Sequence, residues 1–203
     1  MIVLPIWPAP NGAEPYFLDA GGWQLPSIGG GNAVRIDRLG DRHGISVSMP
    51  PMRLRDDKRG IHAMEWISRL KRGCSEGVRI RFPQPGVTRP ANATVRTATN
   101  AQATLIPVQG VPGTIYREGI FFSLVNATTG QRYLHSVNTQ AVLDGAGQGT
   151  ISVHPRTRIA AAVGWQLLFD YPTIEGRLMG EQQKWTLELA RTVGLQFDIE
   201  EIG

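Results

Sequence analysis

The sequence predicts a mainly β protein with one helix and a small barrel of antiparallel strands. Three observations predict this class. Between Thr104 and Tyr171, short apolar or alternating segments are separated by turn residues such as Ala127–Gly130 and Asp144–Gly149. Glycine and proline, 24 and 14 of the 203 residues, favour many turns and few long helices. Persuasive helical spacing of apolar residues occurs only in Gly60–Gly73.

The central stretch predicts at least four strands. Gly119–Asn126 is rich in aromatic and branched residues, and Gln131–Val137 alternates between two faces. Thr150–His154 alternates in the same way, and Trp165–Tyr171 closes the set. Alternation with a period of two, bounded by Thr-Gly and Asp-Gly turns, indicates β-hairpins. Strands this close in sequence predict an antiparallel meander that closes into a small barrel or sandwich.

The segments before the barrel predict an arm followed by short strands. Met1–Tyr16 carries four prolines, so it is predicted to be an arm outside the regular ladders. Ala33–Ile36 and Gly44–Met49 are predicted strands joined across a Gly-Asp turn. Alternation in the second of them predicts one buried face and one solvated face. Val78–Phe82 is predicted to be a further strand, ended by prolines.

The single predicted helix has an apolar stripe at three-residue steps. Its members are Ile61, Met64, Ile67 and Leu70, with Trp66 beside them. Gly73 is the predicted C-terminal cap, because glycine readily adopts the left-handed conformation there. Residues 86–103 show little periodicity and are predicted to be a linker or an irregular edge.

The chain is predicted to fold as two units, one of them split. Residues 1–77 and 174–203 would form one domain, and residues 78–173 would form a barrel inserted into it. Three strands are predicted after the barrel, within Ile174–Met179, Lys184–Arg191 and Gln196–Ile199. The ends of an inserted domain must lie close together, which an antiparallel barrel permits.

A basic block is the clearest charged feature. Nine basic residues fall within 29 positions: Arg53, Arg55, Lys58, Arg59, Arg69, Lys71, Arg72, Arg79 and Arg81. Four acidic residues leave the block with a net charge of +5, against +4 for the whole chain. A solvated helix face, contact with phosphate and docking to a protein are all consistent with it. Sequence-specific nucleic-acid binding is not expected, because no helix-turn-helix, zinc-finger or RNA-recognition pattern accompanies the charge.

The reactive side chains do not predict an enzyme, a cofactor or a metal site. The four histidines lack metal-ligand spacing, and Cys74 has no evident histidine partner. Gly145–Gly149 leads into a strand rather than a helix, so a hairpin turn is predicted rather than a phosphate-binding loop. A carboxylate pair for glycoside hydrolysis stays open among Asp170, Glu175 and Glu181.

Aromatic side chains suggest carbohydrate binding as an alternative function. Tyr116, Phe121, Phe122 and Tyr133 lie on or near the barrel strands, where exposed rings would stack on a sugar. Core filling competes with this interpretation, since alternation sends Phe121 and Phe122 to opposite faces. No membrane partner is expected, because the longest apolar run, Ile159–Phe169, is too short to span a bilayer.

Short recognisable segments occur along most of the chain. They are Gly22–Pro26 followed by Arg38–Arg42, Trp66–Leu70 followed by Gly77–Gly86, and Trp185–Arg191. The middle of the chain adds Arg117–Ser123, Arg132–His135 and Asp144–Thr150. Together these segments resemble the small tail proteins of long-tailed (siphovirus-type) phages and related prophages. The middle segments resemble a barrel module that is common in such proteins.

The resemblance implies a distal tail protein or a baseplate-hub-like protein. Its ring-forming β-sandwich domain, usually in a hexamer, would continue the tail tube and carry the barrel at its periphery. The expected partners are further copies of the chain, the tail tube protein and the tail-tip hub proteins, with the genome passing through the ring channel. The expected location is the virion tail, and the host cytoplasm during assembly. A tail terminator or a tube adaptor stays open as an alternative.

A ring requires that one surface of each copy meets a different surface of the next. The predicted interface residues are Arg53, Arg55, Arg69, Lys71 and Arg72 in the basic block, and Glu200 and Glu201 near the C-terminus. The proline-rich arm would add a further contact. Pairing of the two charge clusters within one subunit is the competing interpretation.

Overall fold

The computed structural model describes residues 1–24, 32–36, 38, 40–53, 61–180, 185–187 and 192–202. These residues form a mainly β protein with one helix, several sheets and a closed antiparallel barrel of six strands, so the predicted fold class is confirmed. In chain order the elements are β1 (Ile2–Val3), β2 (Gly12–Leu18), β3 (Gly22–Gln24), β4 (Val34–Ile36), β5 (Arg42–Ser48), β6 (Met52–Arg53), α1 (Ile61–Glu76), β7 (Val78–Arg81), β8 (Ala93–Val95), β9 (Leu105–Gln109), β10 (Ile115–Tyr116), β11 (Phe121–Val125), β12 (Arg132–Thr139), β13 (Ala141–Val142), β14 (Gln148–His154), β15 (Gln166–Leu168), β16 (Thr173–Leu178), β17 (Trp185–Leu187) and β18 (Thr192–Glu201).

The large sheet has eight strands in the order β1-β7-β16-β18-β5-β2, and β6 and β17 pair with the first residues of β18. All the barrel strands lie in the chain between β7 and β16, which are direct neighbours in this sheet. The barrel therefore interrupts the large sheet between two adjacent strands. Strand β7 begins at Val78 and belongs to the large sheet. The division into independently folding units of 1–77 with 174–203 and of 78–173 stays a prediction.

The barrel closes in the order β11-β12-β14-β9-β8-β15. This order corrects the predicted meander, because β14 pairs with β9 and β11 pairs with β15, which are distant in the chain. Strand β8 lies within residues 86–103, which the sequence predicted to be a linker or an irregular edge. It closes the barrel between β9 and β15. Three residues are too few for a detectable alternation, although the outer two, Ala93 and Val95, are buried.

The N-terminal arm is not outside the ladders, which corrects a second prediction. Strand β1 pairs with β7 in parallel, and β2 pairs with β5 along seven residues from Gly12 to Leu18. Pro15 is tolerated in β2 because β2 is the last strand of the sheet order, where a missing N–H donor breaks no second ladder.

Helix α1 packs on the large sheet with most of the predicted face, including Trp66, Ile67 and Leu70, but Met64 was wrongly included. Ala63, Trp66, Ile67 and Leu70 are buried, whereas Met64 is 58% exposed. The rings of Trp66 and Phe197 in β18 lie 6.0 Å apart between their centroids. The apolar face therefore follows mixed three- and four-residue steps, as the 3.6-residue turn requires.

The end of α1 corrects the predicted cap. Gly73 lies inside the helix, and a Cβ there would come 2.2 Å from a methyl carbon of Val78. Glycine at this position thus lets the helix approach β7 closely. Gly77 has a φ of 72° and its N–H donates to the carbonyl of Gly73 at 2.9 Å, so Gly77 caps the helix.

Two apolar cores meet at strand β12. One core lies between the large sheet and α1, and the other fills the barrel. Tyr133 and Val137 point into the barrel, whereas Leu134 between them joins the core of the large sheet. Alternation along β12 therefore lets a single strand serve both cores.

Candidate functional site

A small hairpin extends the pair of strands β2 and β5 beyond the large sheet. Leu18 pairs with Arg42 in the large sheet, and further along the chain β3 and β4 pair as a separate two-stranded sheet. This corrects the prediction that Ala33–Ile36 pairs with the strand after it. Asp41 holds the base of the hairpin, because its carboxylate accepts a hydrogen bond from the Ala20 N–H at 2.8 Å.

All six residues of β3 and β4 are exposed. Alternation places Trp23, 65% exposed, on one face of this hairpin, and Val34, 62% exposed, with Ile36 on the other. A two-stranded hairpin is marginally stable in water by itself. Large apolar side chains on both of its faces are therefore suited to contact with another protein.

The edge strand β2 offers a second contact surface next to this hairpin. Within the described residues β2 pairs only with β5, and its exposed and half-buried residues alternate irregularly. The outer edge of such a strand presents N–H and C=O groups that a strand of another chain can pair with.

The predicted basic interface is only partly described. Arg55 lies outside the described residues, and of Arg53 only the backbone is described, in β6. Lys71 lies on α1 and is exposed. The structure therefore does not show whether Arg53 and Arg55 contribute to an assembly surface.

The arginines of α1 are bound to carboxylates of the same helix. Arg69 pairs with Glu65 at 2.5 Å and also donates to the carbonyl of Val3 at 2.5 Å. Arg72 pairs with Glu76 at 3.4 Å. Both pairs are four residues apart and partly or fully exposed, so each contributes only a few tenths of a kcal/mol, about 0.3–0.5.

Glu200 does not lie on an exposed interface. Its side chain is only 4% exposed, and it pairs with Arg42 of the neighbouring strand and with Arg177 at 3.7 Å. The expectation that Glu200 meets the basic block of another copy is corrected by this burial. Its partners within the described residues are Arg42 and Arg177, which lie outside the basic block, so Glu200 does not show the pairing of the two charge clusters within one subunit either.

Glu201 is corrected in the same way, and it binds three donors of its own chain. Its carboxylate pairs with Arg158 at 2.7 Å and accepts the N–H groups of His43 at 3.0 Å and Leu134 at 2.9 Å. Burial raises the pKa of Glu201, while Arg158 and the two N–H groups act to lower that pKa. The side chain is thus a buried acceptor rather than an assembly contact.

A second buried glutamate binds the same barrel strand. Glu175 of β16 pairs with Arg79 and accepts the N–H of Arg132 at 3.0 Å. Arg79 donates in turn to the carbonyl of Gly130 at 2.9 Å. We call this arrangement the carboxylate junction: Glu175 and Glu201, their partners Arg79 and Arg158, and the N–H groups of Arg132 and Leu134. It fixes β12 of the barrel against one end of the large sheet.

Two histidines near this junction are held neutral. Burial, with smaller effects of His154 and Arg158, lowers the pKa of His43 to about 4. Burial lowers the pKa of His135 to about 3, against a hydrogen bond between its Nδ1 and the carbonyl of Pro155 at 2.9 Å. The Nε2 atoms of both rings have no hydrogen-bond partner among the described residues.

His135 and His154 lie on opposite faces of the paired strands β12 and β14. His154 pairs in register with Ser136, so His135 points inward while His154 is exposed. Among the described residues there is no group of three or more His, Cys, Asp or Glu side chains that could hold a metal ion.

The aromatic side chains proposed for sugar stacking lie mostly in the barrel core. Tyr116 and Phe122 are fully buried, and Tyr133 is 8% exposed. Phe121 is half-buried against Phe82, with 4.6 Å between the ring centroids. These rings are therefore not available to a carbohydrate, and the expectation of a stacking groove on them is corrected.

The described carboxylates considered for hydrolysis are bound by groups of their own chain. Glu175 belongs to the carboxylate junction, and Glu181 lies outside the described residues. Asp170 is half-buried and accepts the N–H of Tyr171 at 2.9 Å. Each described carboxylate thus has a structural role in its own strand or turn.

Sequence patterns alone did not single out the hairpin residues Trp23, Val34 and Ile36 as functional candidates, nor Arg158. Two short segments with large apolar residues on either side of Gly29–Gly31 were a signal for the hairpin. No signal marked Arg158, because it lies in an irregular connection and its partner is 43 residues away.

Comparisons with known proteins give no family for the chain, since neither a protein-family model nor a curated protein matches it. The described helix, α1, is too short and too polar to cross a bilayer.

Proposed function

We propose that this chain is a structural protein of a phage virion, located at the distal end of the tail. Copies of it form a ring, in a hexamer, that joins the tail tube to the tail tip or baseplate. Its other partners are the tail tube protein and the tail-tip hub proteins, and the genome passes through the ring channel. The resemblance of segments along most of the chain to phage tail proteins supports this proposal.

The observation that carries the proposal is the hairpin of β3 and β4. It leaves the large sheet with Trp23 on one face and Val34 and Ile36 on the other, all of them exposed. A partner that covers both faces removes these side chains from water, at about 25 cal/mol per Å² of apolar area. Contact of the hairpin with a different surface of the next copy is head to tail, and such contacts form a ring when the rotation between neighbouring copies closes.

The carboxylate junction supports the same function. It holds the barrel against the large sheet through two buried ion pairs and backbone hydrogen bonds. A fixed orientation of the barrel is what a structural ring requires, because each copy must present its peripheral part identically. The role of such a junction is to fix the orientation of the barrel rather than to catalyse a reaction.

The exposed residues Lys71 and Arg72 and the half-buried Arg69 stay candidates for the assembly surface. Their partners on a neighbouring copy would have to be carboxylates other than Glu200 and Glu201, which are buried. A tail terminator or a tube adaptor would use the same ring and differ in the end of the tube that it binds. Glycan binding is a weaker proposal, because the barrel rings named for it are buried.

The ring is tested by negative-stain microscopy and native mass spectrometry of the full chain. We expect closed rings of one size with a central channel. The variant Trp23→Ser with Val34→Ser should stay monomeric and keep its melting temperature, because these side chains contribute little to the monomer. The matched control is Val163→Ser, which removes a side chain 63% exposed outside the hairpin and should leave the rings intact.

Two results would contradict the proposal. One is a wild-type chain that stays monomeric at all concentrations tested. The other is a hairpin variant that forms the same rings as wild type, since the apolar hairpin would then not be the contact between copies.

A further inference from the structure

A cavity of about 630 Å³ lies between the N-terminal segment, the large sheet and the start of β12. Its apolar lining comes from Leu4, from Ile45 and Val47 of β5, and from Ile80 and Phe82 at β7. Cavities of this size, mainly apolar with a few polar groups, are typical sites for small molecules.

The polar lining of the cavity is strongly cationic. Its charged members are Arg79, Arg81, Arg89 and Arg132. Arg81 and Arg89 both lie against Tyr171, with their guanidinium carbons 3.8 and 5.0 Å from its ring centroid. Among the described residues, Arg79 is the member of this group that forms an ion pair, with Glu175. Three guanidinium groups thus remain to meet an anion.

One of these arginines has an unsatisfied buried donor. The Nε of Arg132 is buried and has no hydrogen-bond partner among the described residues, while its Nη1 donates to the Thr173 hydroxyl at 3.3 Å. Burial and the nearby Arg79 lower the pKa of Arg132, although Glu175 and Asp170 act in the opposite direction. A buried donor without an acceptor is unfavourable, and an anion held beside this guanidinium group would stabilise its charge, although the Nε itself does not face the cavity.

We propose that this cavity binds an amphiphilic anion of the class of long-chain carboxylates. Its acidic head lies among Arg81, Arg89 and Arg132, and its hydrocarbon body lies on the apolar lining. A planar carboxylate suits paired guanidinium donors, and hydrogen bonds between charged groups are the stronger ones. The site is separate from the hairpin and does not depend on the proposed ring.

The backbone of the lining favours a hydrocarbon over a peptide. The N–H and C=O groups of β5 and β7 are used by their neighbours in the sheet. Three of the lining residues, Pro5, Pro10 and Pro83, have no N–H at all. A peptide would therefore leave backbone groups unpaired against this surface, whereas a hydrocarbon has none.

The test uses two fluorescent probes with the same rings. Anilinonaphthalene sulfonate carries an anionic group, and phenylnaphthylamine does not. We expect saturable binding of the anionic probe to the full chain, with displacement by dodecanoate. Arg89→Gln and Arg132→Gln should each lower the affinity for the anionic probe by about tenfold or more and leave the affinity for the neutral probe nearly unchanged.

Two further variants complete the design. Arg117→Gln removes an exposed arginine that does not line the cavity, and it should bind both probes as wild type does. Ala13→Phe places a ring in the cavity wall and should weaken both probes. Melting temperatures are measured for every variant, so that loss of binding is not confused with unfolding.

The proposal is overturned by any of three results. The first is no saturable binding of the anionic probe to wild type. The second is an equal effect of Arg89→Gln and Arg117→Gln on that probe. The third is displacement of the anionic probe by an acidic peptide but not by dodecanoate, which would assign the cavity to a partner chain.

Discussion

Replacing Glu201 by glutamine tests the carboxylate junction at its most buried member. The side chain is 2% exposed and accepts from Arg158 at 2.7 Å, from Leu134 at 2.9 Å and from His43 at 3.0 Å. Arg158 and His43 bond to one carboxylate oxygen, and Leu134 bonds to the other. Glutamine has a single oxygen, so its NH₂ group must face at least one buried N–H donor.

The expected loss follows from these contacts. An unsatisfied buried N–H costs about 1–3 kcal/mol. Removing one partner of a buried ion pair costs about 3–5 kcal/mol, because Arg158 is left without its counter-charge. Since these two costs overlap, we expect Glu201→Gln to lower the free energy of unfolding by about 3 kcal/mol or more. With an m value near 3 kcal/mol per M, the urea midpoint falls by roughly 1 M.

Urea unfolding followed by tryptophan fluorescence measures this loss. The matched control is Glu76→Gln, since Glu76 pairs with Arg72 at 3.4 Å and its side chain is 46% exposed. That exposed pair is worth under about 1 kcal/mol. Arg158→Met alone should resemble Glu201→Gln, and the double variant should lose less than the sum. Equal midpoints for Glu201→Gln and Glu76→Gln would refute the reasoning that the junction is buried and holds the barrel.

Two other predictions concern the helix face and the buried histidines. Leu70→Ala should lower the free energy of unfolding by about 2–5 kcal/mol. Met64→Ala, on the exposed face of the same helix, should change it by about 0.5 kcal/mol or less. Equal shifts in melting temperature would show that the faces of α1 are assigned wrongly. The free energy of unfolding should also fall as the pH is lowered from about 6.5 towards 4. The pKa values of His43 and His135 in the folded protein, about 4 and about 3, lie below the value in the unfolded chain. The unfolded chain therefore takes up protons first, which favours unfolding. Each histidine contributes about 1.4 kcal/mol per pH unit in that window, and Glu201, whose pKa burial raises, opposes the slope. Urea midpoints at pH 7 and 5 check this, and His135→Leu should flatten the dependence; a midpoint that does not move would contradict it.

Patterns over a few neighbouring residues predicted individual strands, turns and the helix. The alternation in β12 and β14 and the turns between them were evident, because side chains in a strand point alternately to two faces. The helix was also evident, although its apolar stripe was placed on Met64 instead of Ala63. A turn of 3.6 residues also places residues four positions apart on one face, so a strict three-residue step passed over Ala63, which lies four residues before Ile67.

Contacts between distant segments were not predictable from these patterns. The prolines of residues 1–16 correctly indicated extended backbone, yet β2 is accepted into the sheet because it lies at an edge. Strand β8 is too short to carry a pattern and exists because β9 and β15 both pair with it. The candidate site also depends on contacts between distant segments, because these contacts decide that the side chains of Trp23 and Val34 are left exposed.

The sequence by itself determined the class of the protein, the positions of most strands and turns, and the existence of one helix, because alternation, helical spacing and turn chemistry act over a few residues. Only the tertiary structure decided which charged side chains are exposed and which are buried in ion pairs. Glu200 and Glu201 looked like a surface cluster beside the C-terminus, but β18 carries them to Arg42 and Arg158, 158 and 43 residues away in sequence. A carboxylate is exposed or buried according to what packs over it, and that depends on the pairing of strands far apart in the chain.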